Sequence, residues 1–150
     1  LNQSDSNRGL NQRKTQGVRH GVVAVCCEGD KYLVIRRSEL VRAPGLLCFP
    51  GGHIEPEESA IQAVIREMNE ELALPIEVIR HLWSSVTQWG THLEWIHVRR
   101  PLDPAPVPNP QEVADVMWLT ESELLGCLDV LGSVSDFFEA KYSGLFSLES

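Results

Sequence analysis

Residues 52–74 read GHIEPEESAIQAVIREMNEELAL, and the fold of the chain is read outward from them. Ile61, Val64, Ile65, Met68 and Leu72 recur at i, i+3, i+4 spacing, which predicts an amphipathic helix over 57–72. Pro56 stands where a helix start tolerates it, and Pro75 follows closely behind. Leu74 precedes that proline and is pushed toward extended geometry, so the helix should stop by Ala73. Glu55, Glu57, Glu58, Glu67, Glu70 and Glu71 against the single base Arg66 give this window a charge of −5, out of −8 for the whole chain. The acidity is therefore local. At about 100° per residue, Glu67, Glu70 and Glu71 share one face, expected beside the apolar stripe rather than inside it. Like charges at i, i+4 cost a solvated helix only about 0.2–0.5 kcal/mol. Partial enclosure would raise this to roughly 3 kcal/mol per pair at 6 Å and an effective dielectric of 20. A divalent cation would reverse the sign.

The spacing runs Gly52, five residues, Glu58, seven residues, Arg66-Glu67, then Glu70-Glu71. This resembles the Nudix box, G-x5-E-x7-R-E-U-x-E-E-x-G-U, where U is aliphatic. Met68 and Leu74 occupy the U positions, and Ala73 stands where the family has glycine, so eight of nine defined positions match. Phe49-Pro50-Gly51 also looks like the family's approach to the box. The resemblance implies an α/β fold, an α/β/α sandwich with a mixed sheet, and the box as a loop–helix–loop. It implies a hydrolase that cleaves a diphosphate linkage in a nucleoside diphosphate derivative with Mg2+, or possible Mn2+. By the same resemblance Glu70 and Glu71 are first-choice metal ligands. Glu67 is a ligand or the base, with the catalytic base open between Glu67 and Glu70. The Gly51 carbonyl is a further candidate ligand. Gly52, Glu58 and Arg66 are structural, Arg66 tying a carboxylate such as Glu58 or Glu70 in place. Many members bring one more acidic residue from beyond the box, and Glu112 is the candidate here. Its competing reading is an exposed loop glutamate.

Arg37 and Arg42 precede the box and are candidate phosphate contacts. Arg36 and Arg37 should face opposite ways on a strand, so at most one enters the cleft. Arg37-Ser38-x3-Arg42 and Gly45-x3-Phe49 partly resemble the extra signature of members that cleave coenzyme A, with one residue too few between Arg42 and Gly45. The substrate stays open among oxidised nucleotides, nucleotide sugars, dinucleoside polyphosphates, coenzyme A and capped RNA. Trp89, His92 and Trp95 are candidates for stacking on a base, or else core and surface. His53 reads as a neutral loop residue. The rival to an enzyme is a non-enzymatic module that senses a nucleotide on the same fold. Retention of Glu58, Glu67, Glu70 and Glu71 favours hydrolysis.

The whole chain fits one domain of ordinary globular composition, 150 residues with 43% hydrophobic and 23% charged. Residues 1–18 hold few apolar side chains and read as a flexible tail, followed by the Nudix-like domain over 19–150. A valine-rich run, GVVAVCCE, before Gly29-Asp30 and the run YLVIRR after it predict a hairpin. Residues 38–52 read as a loop. Strands are expected at 76–88, 92–99 and 113–119, with a stiff proline loop over 100–110. Thr120-Glu121-Ser122-Glu123 is a capping box opening a helix. A last helix is expected over 134–142 with Ser133 as its cap. At Ala73 the chain is expected to leave the helix without a left-handed residue, because Pro75 forces Leu74 extended. The net charge argues against general nucleic-acid binding and a polybasic membrane surface. No run is long enough to span a membrane, and no apolar signal segment opens the chain. Cys26, Cys27, Cys48 and Cys127 form no C-x-x-C pair and read as reduced thiols. The expected setting is cytoplasmic, the partner a small nucleotide-like molecule, and the assembly a monomer or homodimer.

Overall fold

The two runs flanking Gly29-Asp30 form the expected hairpin in the computed structural model, which describes residues 18–148. The tail expected over 1–18 thus lies, Val18 apart, outside the described residues. β1 (His20–Glu28) and β2 (Lys31–Arg37) meet only at the hairpin end, through Cys27↔Tyr32 and Glu28↔Lys31. They then take different partners. β1 runs parallel to β6 (His92–Arg99), which lies antiparallel to β5 (Glu77–Val86). β2 pairs antiparallel with β7 (Val113–Thr120). One parallel ladder among antiparallel ones makes the seven-stranded sheet mixed, as the sequence predicts.

Residues 38–52 are not simply a loop. They contain β3 (Leu47–Cys48), paired with β2, and β4 (Gly51–His53), paired with β1. Elements of two and three residues carry no periodicity to read. What identifies them is pairing with β2 and β1, and only β3, Leu47 and Cys48, is also buried.

Three helices complete the described residues: α1 (Ala60–Leu72), α2 (Glu121–Leu125) and α3 (Gly132–Tyr142). α1 starts three residues later than the proline suggested. Glu57 has φ 66°, which no right-handed helix accepts, and Ser59 caps the helix in a reciprocal box with Gln62. α2 opens on the expected Thr120–Glu123 box. α3 starts at Gly132 behind Leu131, with no side-chain cap, so Ser133 is inside the helix rather than its cap.

The helices lie on opposite faces of the sheet. Successive strand residues face opposite sides. Gly52, the partner of Val22, lies under Glu67 of α1, whereas Trp95, the partner of Val23, stacks on Phe137 of α3 at 5.3 Å. The result is the expected α/β/α sandwich. Trp95 is fully buried, so of its two readings, stacking platform or core, it takes the core one. No helix among the described residues is long and apolar enough to cross a membrane.

The end of α1 overturns one expectation. Ala73 adopts φ 51°, ψ 40°, the left-handed conformation, and its N–H closes onto the Asn69 and Met68 carbonyls. Pro75 does not spare the chain this turn, because the turn is what carries Leu74 into full burial. Such a conformation costs a non-glycine residue about 1–2 kcal/mol, partly offset in glycine by about 0.5–1 kcal/mol of unfolded-chain freedom. Ala73→Gly is therefore expected to stabilise the protein by about 0.5–1 kcal/mol in denaturant titration. An unchanged or lowered midpoint would show that Ala73 carries no strain.

Candidate metal centre

The Gly-Gly turn lets helix carboxylates lie directly on a strand. A Cβ at Gly52 would sit 2.4–2.6 Å from the Glu67 carboxylate, and one at Gly51 would sit 2.1 Å from the Val22 carbonyl oxygen. Gly51 donates its N–H to Glu71 Oε1 at 2.9 Å. Glu67 and Glu71 are consequently buried, 8% and 5% exposed. This corrects the expected placement beside the apolar stripe. The buried arc comprises Ala63, Val64, Glu67, Met68, Glu71 and Leu72, while Ile61 and Ile65 are exposed. Periodicity counted the isoleucines as core and the carboxylates as surface, the ordinary preference of each type.

Arg66 organises the box. Its Nε and Nη2 donate to the two oxygens of Glu58 at 2.7 and 2.8 Å, a bidentate pair. Nη1 donates to Glu67 Oε1 at 2.8 Å and to Glu70 Oε2 at 3.1 Å, and Nη2 also reaches the His53 carbonyl at 2.8 Å. These hydrogen bonds hold the Glu58 carboxyl down at about 2. One guanidinium thus ties the loop before α1 to the helix, through Glu58 and the His53 carbonyl. His53 itself contributes backbone, and its ring is exposed.

Glu67, Glu71 and Glu112 each offer an oxygen, and the three oxygens lie within 4.8 Å of one another. Glu112 is therefore no exposed loop residue: its Oε2 is buried and has no hydrogen-bond partner. Glu70 stands outside the trio, its carboxylate about half exposed and bonded from Arg66. Burial pushes the Glu67 carboxyl up to about 7, against the opposing pull of Arg66. Burial first and the Glu67 charge second push Glu71 up to about 8. Three acidic oxygens with one orphaned and buried fit a hard divalent cation, which takes oxygen ligands and neutralises their repulsion.

These shifts carry a sign for stability. Between about 4.5 and 8 the folded chain retains protons that the unfolded chain releases, so stability falls as pH rises through that window. In EDTA the melting temperature is expected to drop between pH 5 and pH 8. Saturating Mg2+ should shrink or reverse the drop, because the cation binds only ionised carboxylates. A flat or rising profile in EDTA would contradict the strained trio.

The arginines divide. Arg36 turns away from the trio to Asp129 at 2.6 Å and the Gly45 carbonyl at 2.7 Å. Arg37 donates from Nε to the Arg42 carbonyl at 2.6 Å, and its charge opposes the rise of Glu71. Arg42 has an exposed side chain. Trp89 and His92 are exposed at and beside the β5–β6 turn. The sequence gives no sign that Ser38 and Asn109 hold the segment carrying Glu112. The one local signal is of a turn, from the turn-initiating pair Asn109-Pro110.

Known proteins similar to this chain point to one family. A model of the NUDIX domain matches residues 17–136. The m7GpppN-mRNA hydrolase NUDT17 of Homo sapiens is 29% identical over 127 residues, covering 70% of this chain and 39% of that protein. The chain thus spans about two fifths of that relative's length. The CTP pyrophosphohydrolase of Escherichia coli is 30% identical over 105 residues, covering 69% of this chain and 78% of that one. The MutT NUDIX hydrolase structure from Burkholderia pseudomallei superposes with a TM-score of 0.68 at 21% identity, covering 81% of this chain and 95% of that one, a likeness of fold. Since the domain model takes in both strands of the hairpin, the box and the segment that carries Glu112, the chain belongs to the NUDIX domain family.

Proposed function

We propose that this chain hydrolyses a diphosphate linkage in a nucleoside diphosphate derivative, using Mg2+ or Mn2+ held by Glu67, Glu71 and Glu112. The observation that carries the reading is the trio itself, with the buried, unpartnered Oε2 of Glu112. The CTP and mRNA-cap hydrolases among the relatives share one bond type in their named substrates, a phosphoanhydride on a nucleoside. A divalent cation supplies charge neutralisation on the phosphate oxygens and activation of a water. The protein's own residues do the rest. Arg66 fixes Glu67 and the loop, so the ligands are set before substrate arrives. Gly51 spends its N–H on Glu71, and its carbonyl, on the same strand edge, is a fourth oxygen for the site. Glu70 keeps an accessible carboxylate at the edge of the trio, and we give it the role of accepting the proton from the attacking water. Arg37, at the end of β2, acts on Glu71 through its charge, Arg42 stands on the loop that follows, and we give both the role of meeting the substrate's phosphates. The four free thiols support a reducing, cytoplasmic setting.

The test is product release from a panel of nucleoside triphosphates, cap analogues, nucleotide sugars and coenzyme A, with Mg2+ and with EDTA. Cation-dependent cleavage of at least one nucleoside derivative is expected. Tight nucleotide binding without cleavage anywhere on the panel would favour the sensing module instead.

A further inference from the structure

The segment carrying Glu112 is fastened at two points. Asn109 donates its backbone N–H to the Glu71 carbonyl at 2.8 Å and its side-chain amide to the Glu70 carbonyl at 3.5 Å. These are terminal carbonyls of α1, which have no partner within the helix. Asn109 also shapes the chain that follows. Its Oδ1 accepts from the Gln111 N–H at 3.2 Å, and its carbonyl accepts from Glu112 at 3.0 Å and Val113 at 2.8 Å. The second fastening is Ser38 at the end of β2, itself buried. Its Oγ donates to the Gln111 carbonyl at 2.8 Å and its N–H to the Glu112 carbonyl at 3.0 Å.

We propose that Asn109 is a positioning residue for the cation site: it ties the turn that carries Glu112 to the helix end that carries Glu71. The inference rests on the reading of Glu67, Glu71 and Glu112 as cation ligands. Glu67 and Glu71 are fixed by one helix and by bonds from Arg66 and Gly51. Glu112 comes from a loop, its Oε2 has no bond, and the other two carboxylates repel it. Asn109 opposes that repulsion with its side chain, whose Oδ1 holds the Gln111 N–H and whose amide meets the Glu70 carbonyl, with Ser38 as the opposite anchor. The cation thus meets a third ligand already in place, and the entropy of ordering a loop is not charged to binding.

The experiment is Mn2+ titration of the full chain by electron paramagnetic resonance. It compares wild type, Asn109→Ala, Glu112→Gln and the double variant. Asn109→Ala is expected to weaken Mn2+ about tenfold in the wild-type background. In the Glu112→Gln background the same change should cost less than about twofold, because the residue it acts through has gone. Asn109→Ser, which keeps a neutral acceptor for the Gln111 N–H, should recover most of the affinity. Ser38→Ala should repeat the pattern from the other anchor, and it decides the case if Asn109→Ala does not fold. Equal losses in both backgrounds would make Asn109 a mere staple of the fold and overturn the proposal. Unchanged affinity in the wild-type background would overturn it too. Failure of the wild type to bind Mn2+ is a separate result, which would overturn the cation site and this inference with it.

Discussion

Glu71→Gln is expected to lower kcat at saturating Mg2+ by about two to three orders of magnitude, the effect of a few kcal/mol at the transition state. Glu71 is the most enclosed member of the trio, and its own carbonyl accepts the Asn109 N–H at 2.8 Å. Glutamine keeps the shape, and its Oε1 still accepts the Gly51 N–H now bonded at 2.9 Å. The fold should therefore survive. Without cation the variant should melt slightly above wild type, since a buried like charge has been removed. Loss of activity with retained or raised melting temperature separates a ligand from a structural residue. Activity within threefold of wild type would remove Glu71 from the mechanism.

Alanine at the two box glycines should give two different failures. At Gly51 the new Cβ would lie 2.1 Å from a backbone oxygen of β1, and neither strand can give way without losing its ladder. Overpacking of this kind costs about 3 kcal/mol or more, or about 10 °C in melting temperature. At Gly52 the clash is with the Glu67 carboxylate, a side chain that can rotate away. Gly52→Ala should thus cost little stability and at least about tenfold in Mn2+ affinity, read by calorimetry on the folded variant. Equal destabilisation by both would show that Glu67 is as immovable as the backbone. Unchanged cation affinity in Gly52→Ala would argue that Glu67 is not a ligand.

The box was legible from sequence because chemistry sets its spacing. Arg66, Glu67 and Glu70 must stand at fixed offsets on the helix, with Glu58 just ahead of it, if one arginine is to hold three carboxylates. The hairpin, the β5–β6 pair and the Thr120 capping box were legible because each depends on local pattern. Other features depend on tertiary contact and carry little local signal. β3 and β4 are defined by their partners on β2 and β1. The burial of Glu67 and Glu71 follows from a strand of glycines passing beneath them. Ala73 turns left-handed because Leu74 has a core position to reach. Glu112 could be singled out as a candidate, but its approach to Glu67 and Glu71 depends on Asn109 and Ser38, separated from each other by about half the domain's length. The separation of Glu70 from the other two box glutamates needs the sheet as well, since the helix alone puts all three on one face.

The central claim is that Glu67, Glu71 and Glu112 hold one divalent cation. The measurement that tests it most directly is a crystal structure of the Mn2+-loaded protein, with anomalous scattering recorded at the manganese edge. The account predicts a peak bounded by the carboxylates of all three residues, with manganese–oxygen distances of about 2.0–2.3 Å, close to those of other hard divalent cations. A peak bound elsewhere, with the trio empty and Glu112 turned away, would contradict it.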